Sequence, residues 1–164
     1  MSLSLLVAAS AVASAHVPVA AETLVDDFAR YCLADQPIVE MAQSLAENGW
    51  SEQGATDQHD LPRLFDNTSR GFRTLFLVPS PAGSQHFKTC QIYDLSVDSD
   101  DLVTTASELL GAHSSDGKKI RWQNYGAFEV YAFPIRVTTL DGDRTVVVLA
   151  ASRAAVTALK ESPE

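Results

Sequence analysis

Apolar positions in the first third of the chain recur at helical spacing. Leu24, Val25, Phe28, Tyr31 and Cys32 fall three and four residues apart, which predicts an amphipathic helix over residues 22–34. Pro37 cannot continue that helix but suits the first turn of a second one, with Asp35 or Gln36 as its cap. Ile38, Met41, Ala42 and Leu45 repeat the pattern, and Asn48-Gly49 supplies a left-handed stop before Trp50. From Ser51 to Arg70 the periodicity is lost. The stretch reads as one long polar connection, pinned in its middle by Leu64 and Phe65. Connections of ~15 residues or more are uncommon unless they are functional or mobile.

Strand patterns begin after Gly71. Phe72 to Val78 is rich in β-formers, Pro79 to Ser84 reads as a turn, and His86 to Leu95 reads as the return strand. Alternation puts Cys90 and Ile92 on one face of that strand, with Phe87, Thr89, Gln91 and Tyr93 on the other. Asp98, Asp100 and Asp101 stand where a helix start favours carboxylates. Leu102, Val103, Ala106, Leu109 and Leu110 then form a buried stripe that Gly111 ends. Two further β-runs follow, Ile120 to Ile135 and Arg136 to Ala150, with Asp141-Gly142 as the hairpin signal. With those two residues as the turn, Leu140 opposes Asp143. Phe133, Ile135 and Val137 then share an almost purely apolar face with Val146, Val148 and Ala150. Arg136, Thr138, Thr145 and Val147 lie on a mixed face. The fold expected is α+β: an N-terminal helical segment followed by a ββαββ antiparallel sheet of four strands, with helices 22–48 and 98–110 on one face.

The N-terminal residues carry a different pattern. Leu3 to Ala15 is a short apolar run, and Ala13-Ser14-Ala15 and Val19-Ala20-Ala21 both fit a small-residue cleavage site. Residues 1–21 therefore read as a cleavable signal peptide. The basic residue that usually precedes such a run is missing from Met1 to Ser4, and a buried N-terminal helix is the other reading. Residues 22–152 form one α+β domain in this reading and residues 153–164 a polar tail. Cys32 and Cys90 are the only cysteines, and an even count in an exported chain suggests a disulfide between them, two separate buried thiols being the other reading. The expected location is periplasmic or extracellular.

Composition narrows the classes of partner. The 164 residues are 46% hydrophobic and 20% charged, which suits one globular domain with a core. Twelve Lys and Arg against 21 Asp and Glu give a net charge of −9. That balance argues against nucleic acid and against an anionic membrane surface, because both need a cationic face. No apolar run reaches the ~20 residues of a membrane-spanning helix.

Candidate chemistry is sparse. His59 beside Asp60, with Asp57 and Asp66 near in sequence, offers a base and a carboxylate to orient it, but no nucleophile motif accompanies them. His16, His59, His86 and His113 are scattered without metal-ligand spacing. The acids at 98–101 and the triplet Asp141-Gly142-Asp143 lack the rest of a calcium loop. No phosphate-binding glycine loop exists, so neither a metal nor a cofactor is expected. Asn67-Thr68-Ser69 is an N-glycosylation triplet by pattern alone. Arg121, Trp122, Tyr125 and Tyr131, in an aromatic-rich stretch with Phe128 and Phe133, are the residues that would line a ligand groove, although aromatics in such a stretch also serve as core packing.

The Phe28-to-Cys32 helix, the Asn48-Gly49-Trp50 helix end and the closing Asp-Gly hairpin, behind a signal peptide, resemble small exported bacterial proteins of uncharacterised function. That resemblance implies no activity and carries over no functional residue. The expectation is a non-catalytic envelope protein that binds a partner protein or a small ligand. The alternative is a hydrolase using His59 with a neighbouring carboxylate.

Overall fold

The computed structural model describes residues 20–54, 61–70, 72–80 and 85–153. Helix α1 spans Ala20–Cys32, α2 Ile38–Glu47 and α3 Ser99–Leu110. The strands are β1 Ser51–Gln53, β2 Arg63–Asn67, β3 Arg73–Pro79, β4 Phe87–Asp94, β5 His113–Ser115, β6 Ile120–Trp122, β7 Phe128–Thr139 and β8 Gly142–Arg153. They form a single antiparallel sheet in the order β1-β2-β3-β4-β8-β7-β6-β5.

This architecture overturns the expected α+β fold of a four-stranded ββαββ sheet behind a helical segment. Strands dominate: among the described residues, one eight-stranded sheet carries three helices. The additional strands are short. β1, Ser-Glu-Gln, is exposed at every position, and β5 is equally exposed, so neither shows the alternation that marks a half-buried strand. β2 lies inside the stretch read as a long connection. Its inward positions include Phe65 and the fully buried Asn67, and a polar residue at a buried position hides the pattern.

The helices stand where apolar spacing placed them, and local chemistry explains their ends. Asp98 caps α3 by accepting from the backbone N–H of Asp100 and Asp101 at 2.8 and 3.3 Å. Gly49 leaves α2 at φ +80°, where a side chain would be strained. Pro37 is the residue before α2, without a side-chain cap, and Asp35 binds Arg153 instead of capping.

All three helices pack on one face of the sheet. Leu24, Phe28, Met41, Leu45, Leu102 and Ala106 meet Leu75, Leu77, Ile92, Val130, Leu149 and Ala151 in one dry cluster. Two covalent or ionic ties fasten α1 to the sheet. Cys32 is bonded to Cys90 of β4, with Cα atoms 5.3 Å apart. Arg73 of β3 is buried between Asp27 of α1 and Asp94 of β4, at 2.6 and 3.1 Å. Among the described residues, no helix is long and apolar enough to cross a membrane.

Candidate binding surface

The face turned away from the helices is built by strand alternation. β3 presents Thr74, Phe76 and Val78 there, opposite Tyr93, Gln91 and Thr89 of β4. β7 presents Tyr131, Phe133, Ile135 and Val137, opposite Ala150, Val148, Val146 and Arg144 of β8. Phe133, Ile135 and Val137 do share a face with Val146, Val148 and Ala150, as alternation requires. That face was expected under the helices and lies on the other side. The helices instead cover Val130, Ala132, Leu149 and Ala151. The centre of the second face is dry: Val146, Val148 and Ala150 are buried, and Phe133, Ile135 and Val137 are half-buried.

Three further differences shape this surface. The hairpin turn is Leu140-Asp141, with Thr139 paired to Gly142 and Thr138 to Asp143. Thr138 Oγ1 donates to Asp143 Oδ1 and Thr139 Oγ1 to the Gly142 carbonyl, both at 2.8 Å, which favours this register over the one with Asp141-Gly142 as the loop. Each partner moves by two residues, so no side chain changes face. Phe87, in contrast, does change face. The β3–β4 register slips between Val78 and Pro79, skipping Lys88, and Phe87 swings to the helix side, stacking on Phe128 at 5.7 Å. Lastly, β4 pairs with β8 only from Thr89↔Ser152 to Ile92↔Leu149. Past Leu149 the two strands diverge, and the fork holds a cleft of about 310 Å³ lined by Phe72, Leu95, Ser96 and the hairpin tip Thr139–Asp141 with Arg144.

The other end of the second face is polar. Tyr131 Oη and Thr89 Oγ1 both bond Ser152 Oγ, at 3.1 and 3.2 Å, and Lys119 Nζ sits 3.3 Å from the centre of the Tyr131 ring. The surface is therefore amphipathic along its length: hydroxyls and a cation at one end, apolar side chains in the middle, and an open fork at the other end.

The residues singled out from sequence do not meet in one groove. Trp122 faces the helix side, 4% exposed, with its indole N–H donated to Ser107 Oγ at 3.2 Å. Arg121 and Tyr131 are cross-strand partners on the second face. Arg121 contacts Asp116 at 3.3 Å and Glu129 at 3.9 Å. Tyr125 is exposed in the turn before β7, where it exchanges backbone hydrogen bonds with Phe128. His59, Asp60 and Asp57 lie outside the described residues, as does His16. Asp66 lies on β2 and accepts from Thr74 Oγ1 at 2.9 Å.

Two polar clusters escaped sequence reasoning, the first because it joins three separate elements and the second because its residues lie 67 and 118 positions apart. Ser107 Oγ is 3.0 Å from His113 Nδ1, a contact that resembles half of a nucleophile and its base. The hydroxyl is committed elsewhere, though. It donates back to the Val103 carbonyl at 2.8 Å and accepts from Trp122, so it braces β5 and β6 against α3. The second cluster ties Arg153 Nη2 to Asp35 Oδ1 and to His86 Nδ1, the latter at 3.0 Å. The guanidinium lies over the Phe87 and Phe128 rings, 5.6 and 5.1 Å from their centres. The Arg153 hydrogen bond, then its charge, holds the Asp35 carboxyl below its ordinary value. Among the described residues, no group of three or more His, Cys, Asp or Glu is placed to hold a metal ion.

Compared with protein-family models, with curated proteins and with solved structures, the chain matches none.

Proposed function

We propose that this is an exported, non-catalytic binding protein whose second sheet face receives an apolar segment of a partner protein. The observation that carries this reading is the strip Phe133, Ile135 and Val137 beside Val146 and Val148, apolar and on the face opposite every described helix. An antiparallel sheet that needed no partner would present alternating polar residues there. Phe133, Ile135 and Val137 keep part of their apolar surface open, and open apolar surface marks interaction sites in soluble domains. Export draws support from the Cys32–Cys90 disulfide, which is consistent with an oxidising compartment. A non-catalytic role draws support from Ser107, whose hydroxyl is spent on structural bonds.

Site-specific photo-cross-linking in the native compartment tests this reading. A cross-linker at position 133 of the second face is expected to give one discrete protein adduct. A control at position 108, exposed on α3, is expected to give none, and Ile135→Asp is expected to abolish the adduct. Equal patterns from both positions, or no adduct from either, overturn the reading. Ester or amide hydrolysis by the purified protein that disappears in His59→Ala would establish the hydrolase in its place.

A further inference from the structure

We propose that the tip of the β7–β8 hairpin is a self-association surface through which two copies of this chain pair about a twofold axis. This goes beyond the partner-binding reading, which rests on the strip nearer the sheet centre. The two most exposed large apolar side chains among the described residues are Leu140 at 107% and Phe72 at 67%. Both border the same cleft in the β4–β8 fork. An apolar knob in full solvent beside an apolar hollow is a combination that water disfavours in a free monomer.

Symmetry favours a second copy as the occupant. A twofold contact uses the same patch on both molecules, so the patch must complement itself. Here the knob, Leu140, adjoins the hollow, so rotating one copy by half a turn sets each knob into the other's hollow. The charges obey the same rule. Asp141 and Arg144 both line the cleft, and neither makes an ion pair or a side-chain hydrogen bond among the described residues. In an acidic protein, five other arginines are engaged by Asp27, Asp94, Glu52, Asp116, Asp35 or Asn48. A twofold pairs Asp141 of each copy with Arg144 of the other, two ion pairs of opposite direction. A single anionic or cationic ligand would leave one of the two charges facing its like.

The tip is also prepared for contact. The bonds Thr138–Asp143 and Thr139–Gly142 fix its shape before association, which lowers the ordering cost. The net charge of −9 on each copy opposes pairing at long range. At physiological ionic strength the screening length is about 8 Å, so contact pairs outlast that repulsion.

Sedimentation equilibrium of the purified, disulfide-intact protein at physiological salt reads the outcome. A reversible monomer–dimer equilibrium is expected. Asp141→Arg or Arg144→Asp alone places like charges across the axis and is expected to weaken the dimer about tenfold or more. The double variant Asp141→Arg with Arg144→Asp restores the pairing and is expected to recover the dimer. Circular dichroism and melting temperature, unchanged in all variants, exclude misfolding as the cause. A protein that stays monomeric at millimolar concentration overturns the proposal. So does a dimer insensitive to both single reversals, or one that the double variant fails to restore while folded. A monomer that still forms the position-133 adduct overturns this proposal and leaves the partner-binding reading standing.

Discussion

Arg73 and Asp27 meet 2.6 Å apart, with side chains only 1% and 4% exposed, and so join the start of β3 to the middle of α1. The guanidinium also donates to Asp94, to the Thr23 hydroxyl and to the Thr23 carbonyl. One cation thus satisfies two buried carboxylates and a helix backbone. Burying these charges is costly in itself, but removing one partner is costlier, because it strands the others.

Arg73→Met is therefore expected to destabilise the protein by about 3–5 kcal/mol, since it leaves Asp27 and Asp94 buried without their cation. Asp27→Asn is expected to cost less, because Arg73 keeps Asp94. Urea unfolding of the two variants checks both the size and the order. A loss below 1 kcal/mol for Arg73→Met would show that water reaches the cluster.

The disulfide acts on the same helix from its other end. Cys32 and Cys90 are separated by 58 residues and both are fully buried. Closing a loop of that length stabilises a fold by roughly 4 kcal/mol in the chain-entropy model. The pair Cys32→Ala and Cys90→Ala is expected to lower the melting temperature by on the order of 10 °C, given the size of the domain. Calorimetry is the measurement. A shift of a degree or less would mean that the Arg73 cluster alone docks α1.

Much of this arrangement can be read from residues in order. The stripe Leu24, Phe28 and Cys32, the cap at Asp98 and the apolar runs of β7 and β8 are local signals, and each acts where its own chemistry requires. The bond between Cys32 and Cys90 was also legible, because the chain has only these two cysteines. What was not legible depends on partners far along the chain. β1 is held by its ladder to β2, from Ser51↔Asp66 to Gln53↔Leu64, and by the fork of Arg63 on Glu52 at 2.6 Å. Nothing in Ser-Glu-Gln announces that. The choice of face was illegible for a different reason. Both faces of β8 are apolar, with Val147, Leu149 and Ala151 on one and Val146, Val148 and Ala150 on the other. Periodicity then says that a strand is buried without saying what buries it. For the site, Arg121 and Tyr131 could be grouped because they lie in one aromatic-rich stretch of sequence, although the structure puts them in two adjoining strands. Leu140 and Phe72, 68 positions apart, could not.

The triplet Asn67-Thr68-Ser69 matches a glycosylation pattern, but its asparagine is fully buried. Asn67 Oδ1 accepts from the Ser69 N–H and hydroxyl at 3.2 and 2.7 Å, and Asn67 Nδ2 donates to the Asn48 carbonyl at 3.3 Å. Folded protein made in a glycosylating secretory host is expected to carry no glycan at this site, as intact mass will show. Asn67→Ala is expected to cost about 1–3 kcal/mol, the penalty for stranding buried partners. A fully glycosylated, equally stable product would contradict the buried placement.

Asp35 gives the acid side of the stability profile a defined sign. Its carboxyl is held below the ordinary value of 3.8, first by the hydrogen bond from Arg153 and then by that residue's charge, with His86 adding a smaller effect. A carboxyl depressed in the folded state contributes stability that is fully present above the unfolded value and is lost as pH falls through the folded value. Asp35→Asn is therefore expected to melt below the wild type at pH 7, with the gap closing as pH drops below about 4. The side chain is 65% exposed, so salt is expected to narrow the gap at neutral pH as well. Subtracting the variant's profile from that of the wild type removes the contribution of the other carboxylates. Melting curves from pH 7 to pH 2 at low ionic strength supply both profiles. A gap constant across that range would mean that Asp35 holds Arg153 through shape and hydrogen bonding that asparagine cannot copy, with its charge contributing nothing.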